Sequence, residues 1–337
     1  VYSAAPTNDV FGTLNSANAP VWNASFDTMA PSAVAVTGNR YLFTGTPSVT
    51  VTAGGTKVYG TAWTTSDVLG LSSSSGGSSV YTLPTLADVF SVNPVVTSGG
   101  LAATATVAGG PYAITVAPGT SNSSYNITYA TPSTITVTPK VLTVTGTTAS
   151  NKTYDGTLAA VLSGGVLNGV VNNETITLVQ AGSFASKNVG TAIGVTASDS
   201  ITGATIANYT LTQPTGLSAN ITKKVLTITA NNDARFAGQT DTAGYYGVTY
   251  VGFVSGESNT NLTTQPTIAR TNSSVGAAGV YTGVLVPSGA AATNYDFSYV
   301  NGNYTIVGAN ELLVRLGTVS NVYATTPTYS VTEAKYM

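Results

Sequence analysis

Apolar and polar residues alternate with a period of two along much of this chain. Residues 134–138 (Thr-Ile-Thr-Val-Thr) and 225–229 (Val-Leu-Thr-Ile-Thr) are the clearest cases, and residues 125–129 and 295–299 alternate large and small polar side chains in the same way. This alternation predicts half-buried antiparallel strands. Helical periodicity is almost absent, and the best helix candidate is the short segment 86–90. The pattern therefore predicts a mostly β protein.

The strand pattern repeats with a period of about 85 residues, which is the signature of a tandem array. Four tyrosines that each begin a predicted strand lie 84, 84 and 86 residues apart: Tyr41, Tyr125, Tyr209 and Tyr295. Four apolar residues in the strands that follow lie 86, 84 and 85 residues apart: Val51, Val137, Ile221 and Ile306. Agreement between two sets of landmarks makes a coincidence among the 19 tyrosines improbable.

This period divides the chain into strand-rich modules, which we expect to be joined into an elongated rod. Each module opens with an aromatic turn, at residues 57–60, 152–156 and 234–238. The predicted segments are a partial repeat of closing strands at 1–55, repeats at 56–139, 140–224 and 225–308, and the start of a further repeat at 309–337. Because the pattern stops within a repeat, we expect the sequence to be an internal or processed piece of a longer array.

Motifs at these openings resemble two related repeat families. Residues 151–157 (Asn-Lys-Thr-Tyr-Asp-Gly-Thr), followed by residues 208–212 and 219–222, resemble the YDG repeat. Residues 108–114 and 299–306, in the flanking modules, are similar to the mostly-β-grasp (MBG) repeats. The resemblance extends over nearly the whole chain.

The resemblance is specific at 151–222 and looser at 56–139 and 225–308, where Gly60 and Ala237 stand in place of the aspartate of the opening motif. Such repeats occur in tandem in large exoproteins, especially filamentous-haemagglutinin-like adhesins of Gram-negative bacteria. The resemblance implies extracellular, strand-rich modules of a β-grasp-like or β-sandwich-like kind. No enzymatic residues are assigned to such modules, so the resemblance supplies no site residue.

The composition removes whole classes of chemistry. The chain has neither cysteine nor histidine, which excludes thiol nucleophiles, disulfides, thiolate or imidazole metal sites and Ser-His-Asp triads. Only 7% of the residues are charged and the net charge is −2, so no nucleic-acid partner is expected. The sequence shows no signal peptide and no long apolar run, so no membrane span is predicted.

Carboxylate chemistry and oxygen-ligated cations are the catalytic routes that remain. The 13 acidic residues are scattered singly, with Asp233 and Asp241 the closest two, and no calcium-loop motif is present. Asp155 is interpreted as a turn residue before glycine, with a cation ligand as the alternative. We therefore predict no catalytic, cofactor-binding or metal-binding residues, no cofactor and no enzymatic activity.

Tyrosine outnumbers phenylalanine and tryptophan together, 19 to 10. We interpret the tyrosines as strand residues whose rings cover a thin core while their hydroxyls reach water; the alternative is an aromatic contact surface for glycans or neighbouring chains. Lysines at the repeat junctions, such as Lys140 and Lys152, are expected to be exposed residues that guard strand edges. A Lys–Asn cross-link is the alternative for them.

The sequence favours a structural segment, a stalk or fibre, of a secreted or cell-surface bacterial adhesin or filament. Such a segment would lie outside the outer membrane of a Gram-negative cell and would contact other copies of itself, laterally or end to end. The alternative is a module that binds a surface glycan or a host protein, with the loop at 244–247 (Gly-Tyr-Tyr-Gly) as a candidate contact.

Overall fold

A computed structural model describes residues 2–4, 15–34, 37–73, 84–122, 125–130, 133–308, 310–316 and 330–336. Strands dominate it, which confirms the mostly β prediction. The two α-helices of the described residues, α1 (Thr65–Val68) and α2 (Leu86–Val89), have four residues each, and α2 lies where the sequence predicts a helix. No helix in this part of the chain is long enough to cross a membrane.

The strands are short and numerous. In the first part of the chain they are β1 Tyr2–Ser3, β2 Leu42–Phe43, β3 Ser48–Ala53, β4 Gly55–Val58, β5 Leu69–Ser73, β6 Phe90–Val92, β7 Val95–Thr97, β8 Tyr112–Ala113, β9 Thr115–Ala117, β10 Thr120–Ser121 and β11 Asn126–Tyr129. In the middle they are β12 Thr134–Thr138, β13 Lys140–Thr145, β14 Thr148–Ala149, β15 Lys152–Thr153, β16 Ala159–Ala160, β17 Leu162–Ser163, β18 Val166–Asn168, β19 Thr177–Val179, β20 Gly182–Phe184, β21 Gly190–Ala197, β22 Ser200–Thr202 and β23 Tyr209–Thr212. In the last part they are β24 Leu217–Thr222, β25 Lys224–Ala230, β26 Asp233–Phe236, β27 Val248–Val251, β28 Thr267–Arg270, β29 Gly279–Ser288, β30 Tyr295–Val300, β31 Gly302–Val307, β32 Leu312–Leu316 and β33 Val331–Tyr336.

The chain forms two compact units. The first consists of Val1–Thr145, Val166–Val179 and Ser200–Gln213. The second consists of Gly146–Gly165, Gln180–Asp199 and Pro214–Met337. Residues 140–224 therefore supply strands to both units, with β13, β18 and β23 in the first and β15, β16, β20, β21 and β24 in the second.

One three-stranded sheet occurs three times with the same strand directions. Its central strand is β3, β13 or β25, and that strand pairs antiparallel with β5, β18 or β27. On its other side it pairs parallel with β11, β23 or β30. In two of these sheets the parallel strand begins with a tyrosine opposite a lysine, as Tyr209 opposite Lys140 and Tyr295 opposite Lys224.

A second type of sheet carries the opening turns. The opening strands β4, β15 and β26 pair parallel with the closing strands β12, β24 and β31. Around β24 the sheet has five strands in the order β15-β24-β21-β20-β16, and around β31 it has four in the order β26-β31-β29-β28. The closing strand is therefore paired on both sides. Its alternate residues are buried because one face of the sheet packs against the core.

The expectation of antiparallel pairing is thus only partly right. Residues 134–138 pair parallel with β4 and antiparallel with β8, and β11 and β30 pair parallel with β3 and β25. Alternation records that one face of a strand is buried, and it carries no information on the direction of the neighbouring strand. Strand direction was therefore beyond what the pattern could predict.

The apolar cores are shared by consecutive repeats. In the first unit, Val137 of β12 and Leu142 of β13 belong to the same buried cluster, although the predicted boundary lies between them. In the second unit, Ile221 of β24 and Leu226 of β25 likewise share one buried cluster across a predicted boundary. One residue separates the two strands in each case, Pro139 or Lys223. The hydrophobic effect therefore binds the closing sheets of β12 and β24 to the first sheet of the next repeat.

The predicted boundaries at 55/56, 139/140, 224/225 and 308/309 stay predictions, but one landmark differs from the other three. Val137, Ile221 and Ile306 lie in closing strands that pair with an opening strand. Val51 lies in β3 and pairs with Tyr129 instead. The spacing of Val51 therefore matches the period without structural equivalence, because many of the described strands have apolar residues at alternate positions.

The shared core predicts unequal effects of two neighbouring substitutions. Leu226 is fully buried between the sheets, whereas Val225 on the same strand is 60% exposed. Leu226→Ala should lower the free energy of unfolding by about 2–5 kcal/mol, and Val225→Ala should change it by less than about 0.5 kcal/mol. Denaturant unfolding monitored by tyrosine fluorescence measures both. Equal losses in the two variants would contradict the shared core.

Candidate functional site: two tyrosine–glutamate junctions

The opening turn of the middle repeat positions a tyrosine at the start of a tight bend. Tyr154 follows β15, and its backbone N–H donates to the carbonyl of Thr222 at 2.8 Å. Gly156 has φ +78°, a left-handed conformation that favours glycine. Asp155 accepts from the backbone N–H of Thr157 at 2.8 Å, so its interpretation as a turn residue is confirmed.

In the first unit, a tyrosine of this kind meets a glutamate from the next repeat. The Tyr59 hydroxyl donates to Glu174 Oε1, and the Tyr209 hydroxyl donates to Glu174 Oε2 at 2.6 Å. The two rings meet edge to face, with centroids 5.4 Å apart and an interplanar angle of 84°. The backbone N–H of Val171 donates to the Tyr209 oxygen at 3.2 Å. One carboxylate thus joins two hydroxyls, of which Tyr59 belongs to the preceding repeat.

The second unit contains the same arrangement. The hydroxyls of Tyr154 and Tyr295 donate to Glu257 Oε1 and Oε2, each at 2.5 Å. The ring centroids are 5.6 Å apart at an interplanar angle of 83°. The backbone N–H of Val254 donates to the Tyr295 oxygen at 3.0 Å. We refer to Tyr59–Glu174–Tyr209 and Tyr154–Glu257–Tyr295 as the first and second junction clusters.

The surroundings of the two clusters also match. Asn208 and Asn294, which precede the second tyrosine of each cluster, accept from the backbone N–H groups of Val107 and Val189 at 2.9 and 3.0 Å. The turn that carries the glutamate closes with a bond from Glu174 N–H to Val171 and from Glu257 N–H to Val254. The same arrangement of tyrosines, glutamate and backbone hydrogen bonds therefore recurs at both junctions.

The glycine of the opening turn allows this close approach. A Cβ atom on Gly60 would lie 2.4 Å from a methyl group of Val171, and one on Gly156 would lie 3.1 Å from a methyl group of Val254. Both glycines also have φ near +80°. A larger residue would meet the next repeat and the backbone strain together, so the opening motif combines a tyrosine with a glycine.

Burial and the shared carboxylate shift the ionisation of both partners. Burial, and then the hydrogen bond to Glu174 or Glu257, raises the pKa of Tyr209, Tyr154 and Tyr295 to about 12. Partial burial opposes the charge on Glu174, but the hydroxyls of Tyr209 and Tyr59 donate to it and hold its pKa below the ordinary value. At neutral pH the first cluster is therefore an ionised carboxylate bound by neutral phenols.

This differs from the expectation that the tyrosine hydroxyls reach water. Four of them converge on carboxylates at the junctions, because a phenol whose ring is buried gains most from an acceptor inside the fold. The two glutamates were not singled out in the sequence. The sequence does contain a signal for them, because each glutamate precedes the second tyrosine of its cluster by a similar distance. Glu174 lies 35 residues before Tyr209, and Glu257 lies 38 residues before Tyr295.

Tyr125, which shares the 85-residue spacing, lies in a different environment. It belongs to an aromatic cluster with Trp22, Tyr41 and Phe43. Burial, and then the negative charge of Asp88, raises the pKa of Tyr125 to about 12. This cluster is apolar, whereas each of the two junction clusters contains a carboxyl group, so the tyrosine spacing alone does not specify the chemistry of a junction.

The lysines of the opening motifs fasten the turns, contrary to the expectation that Lys152 is exposed. Lys57 is only 3% exposed, and its ammonium group donates to the carbonyls of Thr61, Leu101 and Ala102. Lys152 forms an ion pair of 2.8 Å with Asp155 and donates to carbonyls of the following loop. Buried donors to carbonyl groups stabilise the turn because they replace water as hydrogen-bond partners.

Asp233 and Asp241, the two acids closest in sequence, are paired separately with arginines. Asp241 accepts from Arg235 and Arg270 at 2.8 Å and from the Tyr304 hydroxyl at 2.9 Å. Asp233 accepts from Arg315 at 2.7 Å. Within the described ranges, no three acidic residues come close enough together to hold a metal ion.

Substitution of one phenol should weaken a junction selectively. Tyr154→Phe leaves Glu257 with one hydroxyl donor and should lower the free energy of unfolding by about 1.5–3 kcal/mol, the range for bonds to charged groups. Tyr250→Phe is the matched control, because the Tyr250 hydroxyl forms an exposed bond of 3.3 Å to Gln265. Denaturant unfolding measures both, and equal effects would contradict the role of the cluster.

The pH dependence of stability should have one limb on each side of neutrality. Because the folded-state pKa of Glu174 is lowered, its contribution is complete above about pH 5 and is lost as the pH falls through that lowered pKa. Because the pKa of Tyr209 is raised to about 12, its contribution is complete below about pH 10 and is lost as the pH rises towards 12. Unfolding free energies measured across this range test both limbs.

Glu174→Gln should flatten the acid limb, and Tyr209→Phe should reduce the alkaline limb. An acid limb that is unchanged in Glu174→Gln would show that other carboxylates carry the acid dependence.

Comparisons with known proteins agree with the repeated architecture. Residues 138–216 match the YDG domain, and residues 226–305 match the MBG domain of the YGX type. Searches of curated proteins and of solved structures each returned no match. The second tyrosine of each junction cluster, Tyr209 or Tyr295, lies within one of the two matched segments. The chain therefore carries a YDG domain followed in tandem by an MBG domain.

Proposed function

We propose that this chain is a structural repeat segment, a stalk or fibre, of a secreted or cell-surface bacterial adhesin or filament protein. The observation that carries the proposal is the construction of the junctions, where the core and the Tyr–Glu–Tyr cluster both take residues from two consecutive repeats. Because neighbouring repeats share buried residues, force applied along the chain must break a core before it separates them. This is the property that a load-bearing segment requires.

The state of the basic side chains supports an extracellular location. There are only 11 lysines and arginines, and none lies between Lys57 and Lys140. Lys57 and Arg270 are buried, and Lys152 is engaged by its own turn. A protease that cleaves after basic residues needs an accessible, extended site, so few of these positions are suitable substrates. Resistance of this kind favours a protein that persists outside the cell.

The proposal includes the absence of an enzymatic role. Glu174, Glu257 and Asp241 each have their carboxylate oxygens occupied by hydroxyl or guanidinium donors. A general acid or base needs a carboxylate that can reach a substrate proton. The geometry of these acids therefore favours structural roles.

A second candidate, recognition of a glycan or host protein, is favoured by one recess in the second unit. It has a volume of about 290 Å³ and is lined by Asp233, Tyr245, Tyr246, Arg315 and Glu333, among others. Tyr246 is 49% exposed, and the Arg315 guanidinium lies 3.9 Å from its ring centroid. An exposed aromatic face beside hydrogen-bonding groups is typical of carbohydrate sites.

Immunogold electron microscopy of cells that produce the protein tests the first proposal. We expect label on thin structures outside the outer membrane, and label confined to the cytoplasm would overturn the proposal. A glycan array probed with the same protein separates the second candidate. A strong signal that Tyr246→Ala abolishes, with unfolding unchanged, would favour recognition over a purely structural role.

A further inference from the structure

Each junction cluster places two oxidisable rings from consecutive repeats beside one carboxyl group. The two hydroxyls of a cluster bind the two oxygens of that carboxyl group. The ring centroids lie 5.4 Å apart in the first cluster and 5.6 Å apart in the second. Because the hydroxyl ends of the rings converge, the ortho carbons beside those hydroxyls are brought to neighbouring positions. These carbons carry unpaired-electron density when a phenol loses a hydrogen atom.

The carboxyl group between the phenols is placed to take the proton that a phenol loses on oxidation. Burial, and then the hydrogen bond to Glu174, raises the pKa of Tyr209 to about 12, so this phenol is neutral at neutral pH and its electron must leave together with its proton. Glu174 accepts from the Tyr209 hydroxyl at 2.6 Å, which is within reach for a proton acceptor. In the second cluster, Glu257 borders a recess of about 130 Å³ that gives a released proton a route to solvent.

The composition leaves tyrosine as the main electron donor of the chain. Cysteine and histidine are absent, and two methionines and two tryptophans stand against 19 tyrosines. Thiols and thioethers are the side chains that oxidants commonly convert in other proteins. Since this chain has so few of them, an oxidising equivalent that it takes up is directed to tyrosine.

We propose that each junction cluster is a site of oxidative modification, at which its two tyrosines couple to a dityrosine and join consecutive repeats covalently. The reaction consumes two equivalents of a one-electron oxidant. Electrons reach that oxidant by transfer through the protein, so the rings need not be exposed.

The atoms and electrons of this reaction balance. Each phenol gives one electron to the oxidant and its hydroxyl proton to the shared carboxyl group, which releases the proton to solvent. One ring turns about its Cβ–Cγ bond, a torsion with a broad energy well, and the two tyrosyl radicals form one C–C bond between ortho carbons. The hydrogens of those two carbons then move to the oxygens and restore the hydroxyls. The product has lost two hydrogen atoms.

A third pair of tyrosines supplies an internal control. Tyr245 and Tyr304 meet edge to face with their centroids 5.8 Å apart, and both hydroxyls bind Asp241. Both oxygens of Asp241 also accept from Arg270, whose guanidinium carbon lies 4.2 Å from the centroid of the Tyr304 ring. The bound cation makes Asp241 a poor proton acceptor and opposes the loss of an electron from Tyr304. This pair therefore has the proximity of the junction clusters without their proton acceptor.

The inference goes beyond the proposed function, because it concerns a reaction of the junctions. Its test measures cross-linking, whereas the test of the stalk measures location. Either can fail without the other.

Photo-oxidation of the full chain tests the proposal. Light, tris(bipyridine)ruthenium(II) and persulfate generate a one-electron oxidant in dilute protein, and mass spectrometry of peptides locates each cross-link by the loss of two hydrogen atoms. We expect Tyr59–Tyr209 and Tyr154–Tyr295 cross-links within single chains. The Tyr245–Tyr304 cross-link should form at least about tenfold more slowly, because the cation–π contact opposes oxidation.

Glu174→Gln isolates the role of the carboxyl group. The amide keeps the size of the side chain but cannot take the proton, so the Tyr59–Tyr209 cross-link should form at least about tenfold more slowly, since a positioned base contributes roughly a hundredfold or more. The Tyr154–Tyr295 cross-link of the same chain is the reference and should be unchanged. Glu257→Gln is the reciprocal variant, in which the two cross-links exchange roles.

Three results would overturn the proposal. A Tyr245–Tyr304 cross-link that forms in the unsubstituted chain as fast as the other two would show that proximity alone decides. Unchanged cross-linking in both glutamine variants would show that the carboxyl group does not take the proton. Oxidation restricted to exposed tyrosines such as Tyr246 would show that the junction rings do not couple.

Discussion

The connection between consecutive repeats is a single residue, and its shortness constrains the packing of neighbouring repeats more than any other feature. Pro139 separates β12 from β13, and Lys223 separates β24 from β25. With so short a connection the closing strand of one repeat and the first strand of the next stay side by side, and their buried faces contribute to one core. The junction clusters then occupy the edge of that core, where a carboxylate retains some contact with solvent.

The stability of each cluster depends on its position at the edge of the core. A glutamate inside the core would pay the full cost of desolvation, and one on the open surface would gain little from its partners. At the boundary, two phenols supply neutral donors that bind the charge without adding a second one. In a chain with only 7% charged residues, such bonds give the contact a defined geometry that apolar packing alone lacks.

The sequence predicted the positions of the strands better than it predicted which strands pair and in which direction. Alternation identified residues 134–138 and 225–229, and the Thr85–Asp88 capping box explains why the helix at Leu86–Val89 could be anticipated. The direction of pairing and the true position of Val51 could not be read, because a period of two is the same in every half-buried strand. Glu174 and Glu257 were missed because each is a lone acid whose partners lie far away in sequence.

The shared cores bear on how an array of such repeats gains its stability. Because one core takes residues from two repeats, the free energy of the interface between neighbours is large relative to the intrinsic stability of one repeat. The array then behaves as a one-dimensional chain of coupled units. Loss of order in one repeat then removes its contribution to the core on either side of it. Cooperativity in such an array should extend over several repeats, and the first and last repeats should be the places where unfolding begins.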